Sequence, residues 1–333
     1  MNSDRLLVGV IFPDRTVEST SVSTAGNSKR TVAVWFEDSD PVVVQCSSEN
    51  SLRTEGELAR AIRQRTGVPV PDVLRIGTHG STSYVVSERA SGENLHGRFA
   101  GLDRPLQWRI ARAFGRHLAE LHEAFAFEGF GGITCASGCD RSAFRASGAP
   151  DFSTWFRHYA REGVEALPAD FDRLRGDLHH AIESIRDLDP GDPVLYPWDL
   201  RPGNALIEDG ELSAVVDWGD PLAAPAGLAA AKAEYLATDW YVADADPLRA
   251  AFREGYESVR PYPTVPSVYR LVAVLRSAVD SNGVVTRPRY PEWTGERAVE
   301  FHRSRLANLL PATTPAYTGD RSPDRYSPGC GGG

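Results

Sequence analysis

The chain has 333 residues, of which 41% are hydrophobic and 24% are charged, which is typical of a globular protein with one large domain or two smaller ones. Its 36 basic and 45 acidic residues give a net charge of −9, which argues against a nucleic-acid backbone as the main partner, because phosphate chains are bound by basic surfaces. The longest run of small apolar residues is interrupted by Pro225 and Lys232, and no signal peptide is evident. The sequence therefore predicts a cytoplasmic protein without a membrane span.

The first 90 residues contain mainly strand-like segments. LLVGVIF, TVAVWFE, PVVVQCS and SYVVSER are rich in β-branched and aromatic residues and are separated by Asp, Ser and Gly. One helix interrupts them at about residues 51–65, where Leu58, Ala61 and Ile62 form an apolar face. This part of the chain is predicted to be a small antiparallel sheet with one helix packed on it.

The character of the sequence changes after about residue 93. The segment PLQWRIARAFGRHLAELHEAF has apolar residues at helical spacing, and further helices are predicted at about 153–166, 170–187, 223–240, 245–258, 265–280 and 296–309. A single hairpin is the only clear β element among them. We therefore expect a β-rich lobe over residues 1–90, a mainly helical lobe over residues 91–312, and a disordered tail over residues 313–333, which is rich in Pro, Gly and Ser.

The four cysteines do not predict a disulfide framework or a zinc site, because their spacing lacks paired Cys-x-x-Cys units. Cys135 and Cys139 lie together in the glycine-rich segment GFGGITCASGCD and could contribute to a metal site. Two ligands do not make such a site, however, so ordinary loop thiols are the simpler interpretation.

The hairpin lies in the segment VLYPWDLRPGNALIEDGELSAVVDWGD, residues 194–220. Asp209-Gly210 between apolar runs is a strong signal for a two-residue turn. If these two residues form the turn, Asp217 lies opposite Pro202 and close to Asn204, since diagonal neighbours across two strands are about 7–8 Å apart. The turn thus brings oxygen ligands from both strands to the open end of the hairpin.

Asp199, Asn204 and Asp217 form a set of oxygen donors at this end. Each of them alone could simply make turn hydrogen bonds on a solvated hairpin. Together, two carboxylates and one carboxamide suit a hard cation such as Mg²⁺, which takes one or two carboxylates and substrate phosphates as ligands. The set therefore favours a site for a cation and a phosphate-bearing ligand.

These residues resemble the aminoglycoside phosphotransferase and choline kinase-like family, relatives of the eukaryotic protein kinases. In that family a His-Gly-Asp-x-x-x-x-Asn loop precedes a hairpin and an Asp-Trp or Asp-Phe segment; here WDLRPGN and AVVDWGD match it. The resemblance implies an α+β, two-lobe protein-kinase-like fold with a catalytic β-hairpin in its helical lobe. It also implies that Asp199 orients or deprotonates the acceptor hydroxyl, while Asn204 and Asp217 hold Mg²⁺ on the phosphates of ATP or GTP.

The resemblance extends into the first lobe. STAGNSKRTVAVWF is similar to the glycine-containing hairpin over the phosphates, which implies roles for Ser23 and Gly26. TEGELARAI is similar to the first-lobe helix, with Glu55 as its glutamate, and YVVSERASGENL is similar to the last strand and the hinge at Glu88. Gln45 aligns with the third-strand position that normally carries a lysine or arginine. These five residues are the expected nucleotide-binding set.

Two departures from the family pattern affect the expected activity. Gln45 brings no charge to the phosphates, and neither lysine of the chain, Lys29 or Lys232, is expected to replace it. Restoring the charge with Gln45→Lys is therefore expected to tighten nucleotide binding. In addition, Pro197-Trp198 stands where the family has His-Gly, which implies a rebuilt catalytic loop.

The sequence leaves the acceptor open. Trp198, Asp220 and Glu234 are candidates for the wall of the substrate cleft, where they would favour a polar or cationic small molecule. The main hypothesis is a kinase that phosphorylates a hydroxyl of an amino sugar, an amino alcohol or a similar metabolite. A kinase-like protein that binds nucleotide or metabolite without transferring phosphate is the alternative, and a metal-dependent phosphohydrolase fits less well because it leaves the first-lobe sheet without a role.

Overall fold

A computed structural model of the chain describes residues 8–23, 29–48, 51–135, 144–148, 151–185, 188–242, 244–286 and 294–310. The first part of the chain forms a five-stranded antiparallel sheet in the order β1-β2-β3-β5-β4. Its strands are β1 (Val17–Val22), β2 (Arg30–Phe36), β3 (Val42–Ser47), β4 (Val73–His79) and β5 (Thr82–Glu88). The predicted small antiparallel sheet is thus confirmed.

One face of this sheet is covered by the N-terminal segment. Residues 8–11 are helical, and Val8, Ile11 and Phe12 pack on buried side chains of β2 and β3 in a separate small core. The strand predicted for LLVGVIF is therefore wrong. The reason is visible in the spacing, because Val8, Ile11 and Phe12 are three and four residues apart and share one face of a helical turn.

The other face of the sheet packs against helix α1 (Ser51–Arg65), which has the predicted bounds. Gly56 allows the close approach, since a Cβ atom at this position would lie 2.9 Å from Ile76 Cδ1 and 2.9 Å from Val85 Cγ2. The carboxyl-bearing residue Glu55 precedes this glycine and is itself buried at the junction of the lobes.

The second lobe is mainly helical, and its long helices lie close to the predicted ranges. They are α2 (Arg104–Ala124), α3 (Phe152–Glu165), α4 (Asp172–Glu183), α5 (Ala226–Glu234), α6 (Asp246–Glu257), α7 (Ser267–Leu275) and α8 (Glu296–Leu309). A π-helical turn at Tyr235–Asp239 continues α5. Within the described ranges, none of the helices combines the length and hydropathy that a membrane crossing requires.

Helices α2 and α6 are in backbone contact through two glycines. A Cβ atom at Gly115 would lie 1.8 Å from the Phe252 carbonyl oxygen, and one at Gly255 would lie 1.9 Å from the Arg112 carbonyl oxygen. A side chain at either position would force the two helices apart.

The second lobe also contains more β structure than the single hairpin that the sequence predicts. A four-stranded sheet has the order β8-β7-β12-β9, formed by β7 (Gly131–Cys135), β8 (Phe144–Ala146), β9 (Pro193–Tyr196) and β12 (Leu222–Pro225). These strands are short, and β9 and β12 are largely buried, so the alternation that identifies a strand is missing. The β9–β12 pair lies at the base of the segment that carries Asp199 and Asp217.

The connection between the lobes pairs with the hairpin that turns at Asp209-Gly210. Strand β6 (Glu93–Asn94) pairs with β10 (Ala205–Glu208), which pairs with β11 (Glu211–Val215). Just before β6, the Ser91 carbonyl accepts a hydrogen bond from Ser213 Oγ at 2.8 Å. On the first-lobe side, the Pro69 carbonyl accepts one from the Val215 amide at 2.6 Å. The hairpin therefore contacts both lobes.

Candidate active site

The hairpin turn has the conformation that its sequence predicts. Asp209 and Gly210 have φ angles of 51° and 82°, both in the left-handed region, as the tight turns of two-residue hairpins require. Glu208 pairs with Glu211 across the turn, as expected.

The register changes further along the hairpin. Ile207 pairs with Leu212, but Leu206 pairs with Ala214, so Ser213 is an extra residue in the second strand. The expectation that Asp217 lies opposite Pro202 is therefore wrong by one residue. The bulge arises because the Ser213 hydroxyl turns out of the ladder to bond the chain at Ser91.

The loop that carries Asp199 is held by its own side chains. Asn204 ends a single 3-10 turn that begins at Pro202, and its Nδ2 donates a hydrogen bond to the Asp199 carbonyl at 3.0 Å. The Val216 amide donates to the Asn204 carbonyl at 2.9 Å. The Asp199 carboxylate accepts from Arg201 Nε at 3.2 Å and is partly exposed. The buried Asn204 thus fixes the loop, while its amide oxygen remains as the group for a cation.

Asp217 follows the hairpin in an unusual conformation. Its φ of 67° is left-handed, and Asp220 repeats this at 50°. Asp is among the few non-glycine residues that tolerate this region. The turn directs the Asp217 side chain away from the strand, and 45% of it is exposed. An exposed carboxylate at the junction of the lobes is well placed for a cation.

Lys29 joins the two lobes at this carboxylate. Its Nζ lies 2.6 Å and 2.7 Å from the two carboxylate oxygens of Glu55 and 2.8 Å from Asp217 Oδ1. The expectation that neither lysine can replace the missing charge at Gln45 is therefore wrong. Lys29 precedes β2, and extending the β2–β3 register by one residue makes it a diagonal neighbour of Gln45 on the face of the sheet that points to the cleft. A lysine side chain is long enough to reach Glu55 from there.

The charges in this cluster support one another. Burial lowers the pKa of Lys29, but the carboxylates of Asp217 and Glu55 outweigh that effect, so the pKa is raised and Lys29 is a cation at neutral pH. Burial raises the pKa of Glu55, and Asp217 and Asp220 add to this, while Lys29 opposes it. The pKa of Glu55 is raised overall, and Lys29 is the cation that opposes this rise.

The other expected nucleotide-binding residues lie around this cluster. Gln45 lies in β3 and lines a cavity of about 50 Å³ between the lobes, together with Glu55 and Asp217. Ser23 follows β1, and its amide donates to the Thr31 carbonyl at 2.9 Å. Gly26 lies outside the described residues. Their role in nucleotide binding stays a prediction.

At the hinge, Glu88 ends β5 and is exposed. Its amide donates to the Asp72 carbonyl at 2.9 Å, and its Oε2 accepts from the Asp72 amide at 3.3 Å. The backbone of Glu88 is thus held in the sheet. Its contact with a nucleotide base also stays a prediction.

The three candidates for the substrate cleft have different environments. Asp220 is exposed, and Trp198 is partly buried. Glu234 is 1% exposed and accepts hydrogen bonds from Arg253 at 2.7 and 2.9 Å, from Arg270 at 3.0 Å and from Tyr262 at 2.8 Å. A carboxylate enclosed in this way does not line a cleft, so that expectation for Glu234 is wrong; its arginine partners are distant in sequence and gave no local signal.

The donors present fit a cation with few protein ligands. Among the described residues, no group of three or more His, Cys, Asp and Glu side chains is close enough to hold a metal ion. Asn204 and Asp217 offer one amide oxygen and one carboxylate, which matches the small number of protein ligands that Mg²⁺ takes beside a phosphate. Cys135 lies in β7, and Cys139 lies outside the described residues.

Two residues of this region, Arg201 and Arg276, went unnoticed in the sequence, and Lys232 was considered only as a replacement for the charge at Gln45. Arg201 contacts Asp199, and Lys232 and Arg276 both lie against the Trp198 ring, with Lys232 Nζ 3.5 Å and the Arg276 guanidinium carbon 5.2 Å from its centroid. The signal for the lysines was their rarity, because the chain has only two among its 36 basic residues.

Comparisons with known proteins agree with this geometry. The model of the phosphotransferase enzyme family (APH) matches residues 21–270. A stretch of 95 residues is 37% identical to part of the polyketide synthase ThaG of Burkholderia thailandensis. That stretch covers 27% of this chain and 2% of the synthase, so the chain spans only a small part of that relative.

The solved structures that match have the two-lobe protein-kinase-like fold that the sequence predicts. The aminoglycoside phosphotransferase APH(4)-Ia is 16% identical with a TM-score of 0.61, covering 92% of this chain and 97% of the other. A ternary complex of a thermostable mutant of that enzyme with ADP and hygromycin B is 15% identical, with a TM-score of 0.59 and coverage of 92% and 98%. Macrolide 2′-phosphotransferase type I is 14% identical, with a TM-score of 0.56 and coverage of 92% and 97%.

Proposed function

This chain belongs to the phosphotransferase enzyme family, and from that premise we propose that it transfers the γ-phosphoryl group of ATP or GTP to a hydroxyl of a small molecule. An amino sugar, an amino alcohol or a similar metabolite is the proposed acceptor. The observation that carries this proposal is the Lys29 ammonium, which bonds both Glu55 in the first lobe and Asp217 in the second. A cation held at the junction of two lobes beside an exposed carboxylate is suited to bind and neutralise phosphate oxygens.

Asp199 is the proposed catalytic residue. Its carboxylate would orient the acceptor hydroxyl and take its proton, and Arg201 limits its rotation through the hydrogen bond to Oδ2. Asn204 fixes the backbone of the loop through the Asp199 carbonyl. Phosphoryl transfer needs positioning and charge neutralisation more than covalent chemistry, so these restraints support the proposed role.

Asn204 and Asp217 are the proposed Mg²⁺ ligands. When bound, Mg²⁺ would neutralise charge on the phosphate oxygens. Lys29 would keep its ion pair with Glu55 and would exchange its contact with Asp217 for a contact with a phosphate oxygen. In this proposal residues 1–90 form the nucleotide-binding lobe, and residues 91–312 carry the catalytic loop and the acceptor site.

A second candidate function is nucleotide or metabolite binding without transfer. Trp198 supports it, because this large side chain stands next to Asp199 where the family pattern has glycine. The other reason for it, the missing charge at Gln45, no longer holds, since Lys29 supplies that charge.

Nucleotide binding and turnover distinguish these functions. Thermal unfolding is measured with Mg·ATP and with Mg·GTP, followed by nucleotide consumption across a panel of sugars, amino sugars and amino alcohols. We expect stabilisation by at least one nucleotide, and acceptor-dependent turnover that Asp199→Asn abolishes while the stabilisation remains. Stabilisation with no turnover on any acceptor would favour the binding protein, and no stabilisation by either nucleotide would contradict both.

A further inference from the structure

Trp198, the residue before Asp199, lies close to two cations. Lys232 Nζ is 3.5 Å from the centroid of the Trp198 ring, and the guanidinium carbon of Arg276 is 5.2 Å from it. Both distances are within the range of cation–π attraction, for which Trp is the strongest partner. The catalytic loop is therefore attached to α5 and to the end of α7 through one aromatic ring.

Lys232 is an unusual residue for this position. It is 1% exposed, and its ammonium donates a hydrogen bond to the Arg276 carbonyl at 3.3 Å. Among the described residues, no carboxylate lies within ion-pair distance of its Nζ. Burying an ammonium with so few polar partners is costly, and the Trp198 ring helps to offset this cost because it lies within cation–π range of Nζ.

The ionisable groups that act on Lys232 and its neighbour Arg276 come from several of the elements around them. They are Tyr159 and Glu162 of α3, Tyr196 of β9, Asp199 and Arg201 of the catalytic loop, and Asp220 after the hairpin. Tyr159 and Tyr196 bond each other through their hydroxyls at 3.0 Å. The two carboxylates that attract Lys232 are thus those of Asp199 and Asp220, and the first is the proposed catalytic group.

Burial lowers the pKa of Lys232 to about 7, because the attraction of Asp199 and Asp220 offsets only part of the desolvation, and Arg276 and Arg201 oppose it. This shift moves the charge change of the lysine towards neutral pH, and the Asp199 carboxylate is among the charges that act on it. In the cation form it attracts both the indole ring and Asp199; in the neutral form it loses both attractions.

We propose that Lys232, held against the Trp198 ring, is a positioning residue that couples its own protonation to the placement of the Asp199 carboxylate. Trp198 stands at the second of the two positions before this aspartate, where the family pattern has glycine. The consequence for activity rests on the proposed function of Asp199, whereas the coupling between Lys232 and Asp199 does not. At pH values below the midpoint of Lys232 protonation, the Lys232 cation holds the loop that carries Trp198 and Asp199. Above that midpoint the lysine is neutral and this restraint is lost.

The chain allows a direct test, because Lys29 and Lys232 are its only lysines. Labelling with 13C at the lysine ε-carbon gives two NMR signals, and Lys232→Met identifies the second by its loss. We expect one signal to titrate near pH 7, and we expect its midpoint to fall in Asp199→Asn and in Trp198→Phe, in the latter by about 0.3 pH unit or more. Trp108→Phe is the matched control, since Trp108 is a more exposed tryptophan with a cation, Arg112, at 5.9 Å, and it should leave the midpoint unchanged.

The second readout is the pH dependence of phosphate transfer. In the wild type, kcat should decline as the pH rises through the Lys232 midpoint, and this limb should disappear in Lys232→Met with KM for nucleotide changed by less than about threefold. Trp198→Phe keeps an aromatic ring and should shift the limb together with the NMR midpoint, which remains informative if Lys232→Met does not fold. A Lys232 midpoint unaffected by both Asp199→Asn and Trp198→Phe would overturn the proposal. A wild type without any transfer would overturn the proposed function alone, since the NMR midpoints test the coupling without turnover.

Discussion

The sign of the effect of Gln45→Lys should depend on Lys29. From the sequence alone, Gln45→Lys is expected to tighten nucleotide binding by restoring a missing charge. In the structure the Lys29 ammonium already donates hydrogen bonds to both carboxylate oxygens of Glu55, at 2.6 and 2.7 Å. A second ammonium beside the same carboxylate would repel the first, so the single change should weaken nucleotide binding or leave it unchanged.

Lys29→Met shows how much the Lys29 ammonium contributes to stability and to nucleotide binding. Removing one partner of a fully buried ion pair costs about 3–5 kcal/mol, but 16% of the Lys29 side chain and 9% of the Glu55 side chain are exposed, so we expect a loss of about 1–3 kcal/mol in the free energy of unfolding. A charge-assisted contact to phosphate contributes about 1.5–3 kcal/mol, which corresponds to about 10–150-fold in Kd. In the Lys29→Met background, Gln45→Lys should recover most of that affinity, because Gln45 lines a cavity with Glu55 and Asp217, the two partners of Lys29.

The wild type, Lys29→Met, Gln45→Lys and the double variant form a double-mutant cycle. Titration calorimetry with Mg·ADP measures the Kd of each protein, and urea unfolding measures its stability. Lys29→Arg serves as the control that keeps the charge. The reasoning is refuted if Lys29→Met binds nucleotide as tightly as the wild type. It is refuted as well if Gln45→Lys has the same effect with and without Lys29, since the two positions would then be independent.

Three further changes have defined outcomes. Asp199→Asn should lower kcat by about 10²–10⁴-fold with little change in nucleotide affinity, as steady-state kinetics and calorimetry would measure. Gly115→Ala should cost about 3 kcal/mol or more in urea unfolding, because its Cβ would lie 1.8 Å from the Phe252 carbonyl oxygen. Burial raises the pKa of Glu234, but hydrogen bonds led by that from Arg253 lower it overall, so its contribution to stability is present above pH 4.5 and is lost as the pH falls through its lowered value. Glu234→Gln should therefore lose about 2–4 kcal/mol of unfolding free energy at pH 7.5 and less at pH 4.

Local signals in the sequence were sufficient for much of the fold. The Asp209-Gly210 turn needs left-handed residues that only a few side chains tolerate, so the dipeptide predicts the hairpin directly. The helices at 51–65 and 296–309 have the bounds that their apolar periodicity predicts. The strands of the β8-β7-β12-β9 sheet were missed because all four are short and because the burial of β9 and β12 leaves no alternation to detect.

The missed parts of the site depend on contacts between distant residues. Lys29 is 188 residues from Asp217, and its role follows from its position diagonal to Gln45 in the folded sheet. Glu234 looked like a cleft residue because arginines that enclose it come from two other helices. The bulge at Ser213 depends on a carbonyl 122 residues away. None of these pairings has a local pattern that a reader of the sequence could use.

The pairing of β6 with the catalytic hairpin limits how the lobes can move. From Ser91 onward the chain is bound to the hairpin, while Glu88 and the Arg89 amide are bound to the first-lobe sheet, the latter through the Pro41 carbonyl at 3.3 Å. The segment between these two attachments is therefore about two residues long. A movement of one lobe relative to the other would displace β10, the strand that follows Asn204. Under the proposed function, a base bound at this hinge would contact the same short segment that is hydrogen-bonded to the hairpin.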